Sequence, residues 1–412
     1  MVHFKFGQSG EKFKRNAVVL SSSIALMVSV TASAQGVEGS LAGDKGGAIA
    51  AQLGNVGQSL NRQLDGGQGI NPSRFEVVQT ISGVTTPHGV NVMPLQKKLW
   101  VANESTNTAS RVDIASGQVE MVVPVGEGPD LIATDKLRQK VWVTNLKGNS
   151  VSVLNANNGV EMERIPVGNE PHGLAIDQAR GKVYVANYKD NTIFVFSALT
   201  NEKLSSIAVG KGPRNIVLDA LTGNIFVTNK DENTVSLVNP QRGYEIARMK
   251  VGAQPAGLDF NMMTRTLYVS NTGEGTVSVL RNGRQVKTID VGSNPRAIQI
   301  NLMTNQLFVN VVGEGNVAVI DGLSDRIRQK VKVGEKNYVA ALDITTNTLY
   351  VANQGSNSIS VISAGKESGR FNGGEFDKGS ANGPMPGFFE REDAAAPNGN
   401  SSLDVEDGLI NR

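Results

Sequence analysis

Two of the chain's three histidines sit in the same tripeptide, Pro-His-Gly, at residues 87–89 and 171–173. The residue after a comparable proline is acidic at Asp130 and basic at Arg214 and Arg296. Imidazole moves protons near neutrality and is a common metal ligand. Guanidinium offers a planar fork of donors that fits carboxylate or phosphate. Brought together, His88, Asp130, His172, Arg214 and Arg296 would form a mouth that binds a small, anionic ligand. Asn187, Tyr188 and Lys189 follow the second Pro-His-Gly at the next turn but one and join the candidate set. A divalent metal on His88, Asp130 and His172 is the one cofactor reading, and no local pair such as His-x-x-x-His supports it, so no cofactor is expected. No nucleophile elbow, P-loop or dinucleotide fingerprint stands out, and no residue declares itself catalytic. The chain has no cysteine, which excludes disulfides, thiol catalysis and Cys-held clusters.

The spacing of these residues implies the elements that must hold them. Corner prolines recur at Pro87, Pro129, Pro171, Pro213, Pro255 and Pro295, almost always 42 residues apart. An aromatic recurs in step at Trp100, Trp142, Tyr184, Phe226, Tyr268, Phe308 and Tyr350. Two unrelated features sharing one period mark an internal repeat. Within Val167–Phe196, β-rich runs at Leu174–Ile176, Val183–Val185 and Thr192–Phe196 alternate with polar turns and show no helical period. A fourth run ends each repeat in Val-Gly. Four strands in about 42 residues, seven times over, predict an all-β, seven-bladed β-propeller of four-stranded antiparallel blades. The seventh corner has no proline, and an insertion of about two residues is expected near Lys336–Val339. The repeat begins with a fourth-type strand at Phe75–Ser82 and ends after a third-type strand at Ser358–Ser363. Pairing that N-terminal strand with the last three would close the ring without open sheet edges.

In such a blade, the loops from fourth to first strand and from second to third strand share one face. The post-proline residues therefore ring the mouth of the central channel, with Ala256 beside them and Ala340 as the expected seventh member. The recurrent asparagines, Asn187 among them, also read as turn formers that hydrogen-bond loop backbone. Asn149, Asn191, Asn233 and Asn357 share a position with Gly275 and Gly315, which predicts positive φ there.

Residues 1–34 read as a secretory signal peptide: Lys5, Lys12, Lys14 and Arg15, an apolar run over 17–30, and Ala32-Ser33-Ala34 before the cut. Cleavage after Ala34 would leave no transmembrane segment and a periplasmic or secreted protein. Residues 35–73 form a Gly-rich linker in which Ile49, Leu53, Val56, Leu60 and Leu64 fall on one stripe of a short helix. The propeller is assigned to 74–363, and 364–412 to a disordered polar tail in which Phe388-Phe389 stands out. The net charge of +2 makes nucleic acid an unlikely partner.

Val-Ala-Asn at 101–103 and 185–187, Val-Thr-Asn at 143–145 and 227–229, and Val-Ser-Asn at 269–271 resemble the YVTN-repeat (YncE-like) β-propellers. One blade departs, with Val311 in the asparagine position. The resemblance implies an exported seven-bladed ring, and fold alone does not carry function. The reading is a monomeric, non-catalytic binding platform for an envelope protein or a small-molecule ligand at the channel mouth. The alternative is a lactonase- or lyase-like enzyme at the same mouth. DNA binding, known among YncE-like relatives, is the weaker alternative.

Overall fold

The computed structural model describes residues 74–364. The signal peptide, linker helix and polar tail read from the sequence lie outside the described residues. Seven sheets of four antiparallel strands form a closed ring, a seven-bladed β-propeller. Blade 1 runs Pro87–Met93, Lys98–Asn103, Thr108–Asp113 and Val119–Pro124, and the next five repeat this order. Its strands are called A to D outward from the channel. Blade 7 takes Val339–Asp343, Thr348–Asn353 and Ser358–Ala364 from the C-terminal side and Phe75–Ile81 from the N-terminal side. Phe75 lies opposite Ala364 and Ile81 opposite Ile359, so main-chain bonds between the two chain ends fasten the ring.

The apolar alternation of each strand is spent between blades. One cluster joins Val90, Leu99, Val101 and Val112 of blade 1 to Tyr350, Ala352 and Ile359 of blade 7. Trp100 and Trp142, both fully buried, pack under the following blade. Burial of side chains this size is worth about 2–3 kcal/mol each, so the recurring aromatic is a bolt between neighbours.

The Val-Gly ending and the recurrent asparagine form a second bolt. Asn145 Nδ2 donates to Ser150 and Ser152 of its own strand C, both at 3.0 Å. A Cβ on Gly126 of the preceding blade would lie 2.4 Å from that same nitrogen. Glycine is thus required for the blades to close up. The asparagines therefore tie strand B to strand C, and Asn187 also accepts from the loop backbone at the Gly168 N–H, the role the sequence suggested for the whole set. The turn asparagines do have positive φ: 46° at Asn149, 55° at Asn191, 57° at Asn233 and 48° at Asn357.

Two features of the repeat differ from the sequence reading. The seventh corner carries no insertion: Asn337 occupies the proline position, and Tyr338 takes the place that had been assigned to Ala340. The single 40-residue interval arises in blade 5, where Asn282-Gly283 make a two-residue hairpin with φ of 51° and 73°. Asn-Gly is the pair that accepts two successive positive φ values.

Candidate functional site

Each inner strand except the seventh begins with its proline paired to the strand B asparagine or its equivalent, then slips register before the fourth residue, as between Pro87 and Val90. Proline has no N–H to continue the ladder, and the slip is a β-bulge. The bulge releases the post-proline residue from the pleat, and His88, Asp130, His172, Arg214, Ala256 and Arg296 all line the channel together with Tyr338. The cavity they surround measures about 260 Å³.

Neighbouring blades fix the backbone of these residues. The carbonyls of Asp130, Arg214 and Arg296 lie where a Cβ on Gly89, Gly173 and Gly257 would be, at 2.5, 2.8 and 2.0 Å. The hydroxyls of Thr144 and Thr228, the middle residues of two Val-Thr-Asn triplets, donate to the carbonyls of His172 and Ala256 at 3.2 and 3.1 Å. Ser270 does the same for Arg296. The Thr, Ser or Ala choice in that triplet is therefore connected to the channel mouth.

One arc of the mouth is a hydrogen-bonded trio. Asp130 is 6% exposed and presents its two carboxylate oxygens to two imidazoles. His88 Nδ1 lies 3.0 Å from Oδ1, and His172 Nδ1 lies 2.8 Å from Oδ2. Burial works against the charge of Asp130, but the two histidines more than offset it and hold its carboxyl well below the ordinary carboxylate range. Burial likewise lowers His88, and the Asp130 charge and hydrogen bonds outweigh it, so His88 ends above its usual value. A carboxylate can only accept, so both rings carry a proton on Nδ1. Nε2 of each ring makes no hydrogen bond to another described residue. As folded, the trio is an ion-pair network in which imidazole N–H groups already occupy the carboxylate oxygens.

The other arc is cationic. Burial, reinforced by the Arg214 charge, pushes Arg296 down to about 10. Burial, then Arg214 and Arg296, also lowers Lys230. Among the described residues, none of these three cations has a carboxylate within salt-bridge distance. Arg296 Nε donates to Asn294 at 3.0 Å, and its guanidinium lies 5.7 Å from the Tyr338 ring centre. Ala256, between the two arginines in blade order, presents only a methyl group and leaves the space between them open.

The remaining candidates are placed differently. Asn187 is fully buried; its Oδ1 accepts from the Gly168 N–H at 3.1 Å, and it takes no part in the channel lining. Its polar atoms serve the joint between blades, so the ligand role read from the sequence is corrected. Tyr188 stands behind His172, ring edge to ring face at 5.5 Å, and donates its hydroxyl to Asp231 at 2.8 Å. Lys189 is exposed on the outer rim, 3.8 Å from Glu170.

Sequence reasoning missed Tyr338 because its corner lacks proline. It also missed Asp259, which lies deeper in the channel. Asp259 accepts from the N–H groups of Phe260 and Ile300, each at 2.8 Å, and burial raises its carboxyl to about 7. A lone Asp among Asn91, Ala133, Ala175, Val217, Gln299 and Ala341 at the equivalent repeat position was the available signal.

A family model for the NHL repeat matches residues 169–196, which span most of blade 3. Comparison with curated proteins found no match. Among solved structures, the chain is similar to Kuenenia stuttgartiensis hydrazine synthase, with TM-score 0.62, 18% identity, and coverage of 71% of this chain and 97% of that one. A streptogramin B lyase aligns with TM-score 0.61, 14% identity and coverage of 71% and 98%. Virginiamycin B lyase from Staphylococcus aureus aligns with TM-score 0.61, 15% identity and coverage of 70% and 99%. At these identities the likeness is one of fold alone, the β-propeller, and the NHL match is confined to a single repeat.

Proposed function

We propose that the channel mouth binds a small molecule bearing a carboxylate or phosphate, held by Arg214, Arg296 and Lys230. The observation that carries this reading is the convergence of three cations with no carboxylate partner among the described residues. Burial, then their mutual repulsion, lowers Arg296 and Lys230, and an incoming anion would relieve the repulsion. Guanidinium forks suit such a group, and the recess over Ala256 gives it room. Isothermal titration with succinate, inorganic phosphate and neutral succinamide tests the reading. Binding of one of the anions is expected, weakened about 10–100-fold in Arg214→Ala or Arg296→Ala, as loss of a charge-assisted hydrogen bond implies. Equal affinity for the neutral amide would defeat it.

A second reading, a lyase-like enzyme, is favoured by the His88–Asp130–His172 trio facing the cationic arc. With Nδ1 of both rings committed to Asp130, Nε2 is the atom free to take or give a proton on a ligand anchored by the arginines. Two of the structural neighbours carry the name lyase, which supports this reading by analogy of fold alone. Turnover in a substrate screen that disappears in His88→Ala and His172→Ala, with ligand affinity retained, would distinguish it from simple binding.

We place the chain with the YVTN-type propellers on its Val-x-Asn triplets, and outside the cytoplasm on the leader read in residues 1–34. N-terminal sequencing of protein recovered from the cell envelope should begin at Gln35.

A further inference from the structure

The cationic arc fills only the upper layer of the cavity, and the same three blades carry a second layer beneath it. Strand A of blade 4 has Arg214 at the mouth and Val217 three residues further in. Blade 5 has Ala256 and then Asp259, and blade 6 has Arg296 and then Gln299. All six residues line the one cavity. Three residues of extended strand advance about 10 Å, so the two layers lie roughly that far apart along the channel.

The lower layer is built of acceptors. Asp259 takes the Phe260 N–H on Oδ1 and the Ile300 N–H on Oδ2, each at 2.8 Å. The second of these bonds holds the carboxyl against blade 6, next to Gln299. Neutral N–H groups fix the carboxylate without matching its charge, and among the described residues it has no cation within salt-bridge distance. Gln299 donates its Nε2 to the Ile298 carbonyl at 3.0 Å, while its Oε1 accepts from no described residue. Both side chains are half-buried and so reach the channel. A carboxyl and a carbonyl oxygen side by side, each with spare lone pairs, make a site for a group that only donates. A primary ammonium has three such N–H bonds and supplies the charge that Asp259 lacks. Val217 and Ala256, the remaining members of the two layers, offer aliphatic surface to whatever joins the poles.

We infer that the cavity takes an ω-amino acid, its carboxylate on Arg214 and Arg296 and its ammonium, at the end of a short aliphatic chain, on Asp259 and Gln299. This rests on the anion reading of the mouth and adds the second pole of the ligand. An α-amino acid does not fit the arrangement, because its ammonium stays beside its carboxylate and would face the arginines. Separation of the poles along the channel is what selects the terminal amine.

Isothermal titration of the full chain at pH 8, above the Asp259 value of about 7, tests this with ligands that differ in one group. 6-Aminohexanoate and 4-aminobutanoate are compared with hexanoate, butanoate and 2-aminohexanoate. The better of the two ω-amino acids is expected to bind at least about tenfold more tightly than the plain acid of its own length, the gain of one charge-assisted contact. 2-Aminohexanoate, an isomer with the amine moved beside the carboxylate, should show no such gain. In Asp259→Asn, which keeps the shape and removes the charge, the preference for the ω-amino acid should disappear. Gln299→Leu should lower it severalfold, and decides the matter should the first variant not fold. Plain acids bound as tightly as the ω-amino acids, or a preference that survives Asp259→Asn, would overturn the inference while leaving the anion site standing. Failure of every carboxylate and of phosphate to bind would overturn both.

Discussion

Asp130 orients two imidazoles at once, and the charge states of Asp130 and His88 depend on one another. In Asp130→Asn the anion is gone, and burial, the largest influence on His88, is opposed only by the residue 130 carbonyl and the Glu104 charge, so its midpoint should fall. Proton NMR titration of the His88 ring reads this directly, and a midpoint that stays raised would contradict the arrangement. Linkage sets the sign for stability. The raised His88 value contributes stability that is complete below pH 6.5 and is lost as pH climbs through the folded-state value. The lowered Asp130 value contributes stability that is present above pH 3.8 and is lost as pH falls through the folded-state value. The trio is thus most stabilising between those limits, and Asp130→Ala should cost about 3 kcal/mol there, as for a broken buried ion pair. Asp259 acts in the opposite sense. With its carboxyl raised from 3.8 to about 7, the folded state holds a proton that the unfolded chain has released, so stability declines with pH across that window. Replacing it by Asn should flatten the decline by about 1–2 kcal/mol, since channel water screens part of the burial cost. Thermal melts at stepped pH would show whether the slope disappears.

The strand and its corner are the parts the sequence describes best. A period of 42 residues carried by prolines and aromatics suffices to count blades, because each repeat must present the same bolts to its neighbours. It also places His88, Asp130, His172, Arg214 and Arg296 on one rim, since the corner bulge recurs with the proline. What the period hides is any residue that breaks it. Tyr338 follows Asn337 instead of proline, and Asp259 belongs to a position elsewhere filled by Ala, Val, Asn or Gln. Asn187 fails for the complementary reason. A polar residue repeated in almost every blade reads both as a backbone-bonding turn former and as rim chemistry, and repetition itself marks it as part of the joint between blades. The glycine joints give a further prediction. Gly257→Ala would drive a methyl group to within 2.0 Å of the Arg296 carbonyl, so the corner must move. A loss of about 1–3 kcal/mol is expected from overpacking, together with weaker anion binding. Unchanged affinity in a variant that melts earlier would separate the scaffold from the site.

At the scale of the whole molecule, blades 1–6 are continuous in sequence and blade 7 is assembled from both ends. Deleting residues 74–83 removes its outer strand and leaves the edge at Ser358–Ala364 unpaired. Such an edge invites pairing with other chains, so the truncated protein should aggregate and melt earlier. Size-exclusion chromatography with light scattering would detect this, and a stable monomer would refute the closure. The same seam governs time as well as strength. Residues 75 and 364 meet only when nearly the entire described chain is present, and contacts so distant in sequence form slowly. Blade 7 is therefore the last to assemble, and its outer strand is the natural first step of opening. Until it closes, an emerging chain displays a raw strand edge to every protease and chaperone it meets. The lifetime of the finished ring should accordingly follow the release rate of one seven-residue strand rather than the summed stability of seven blades.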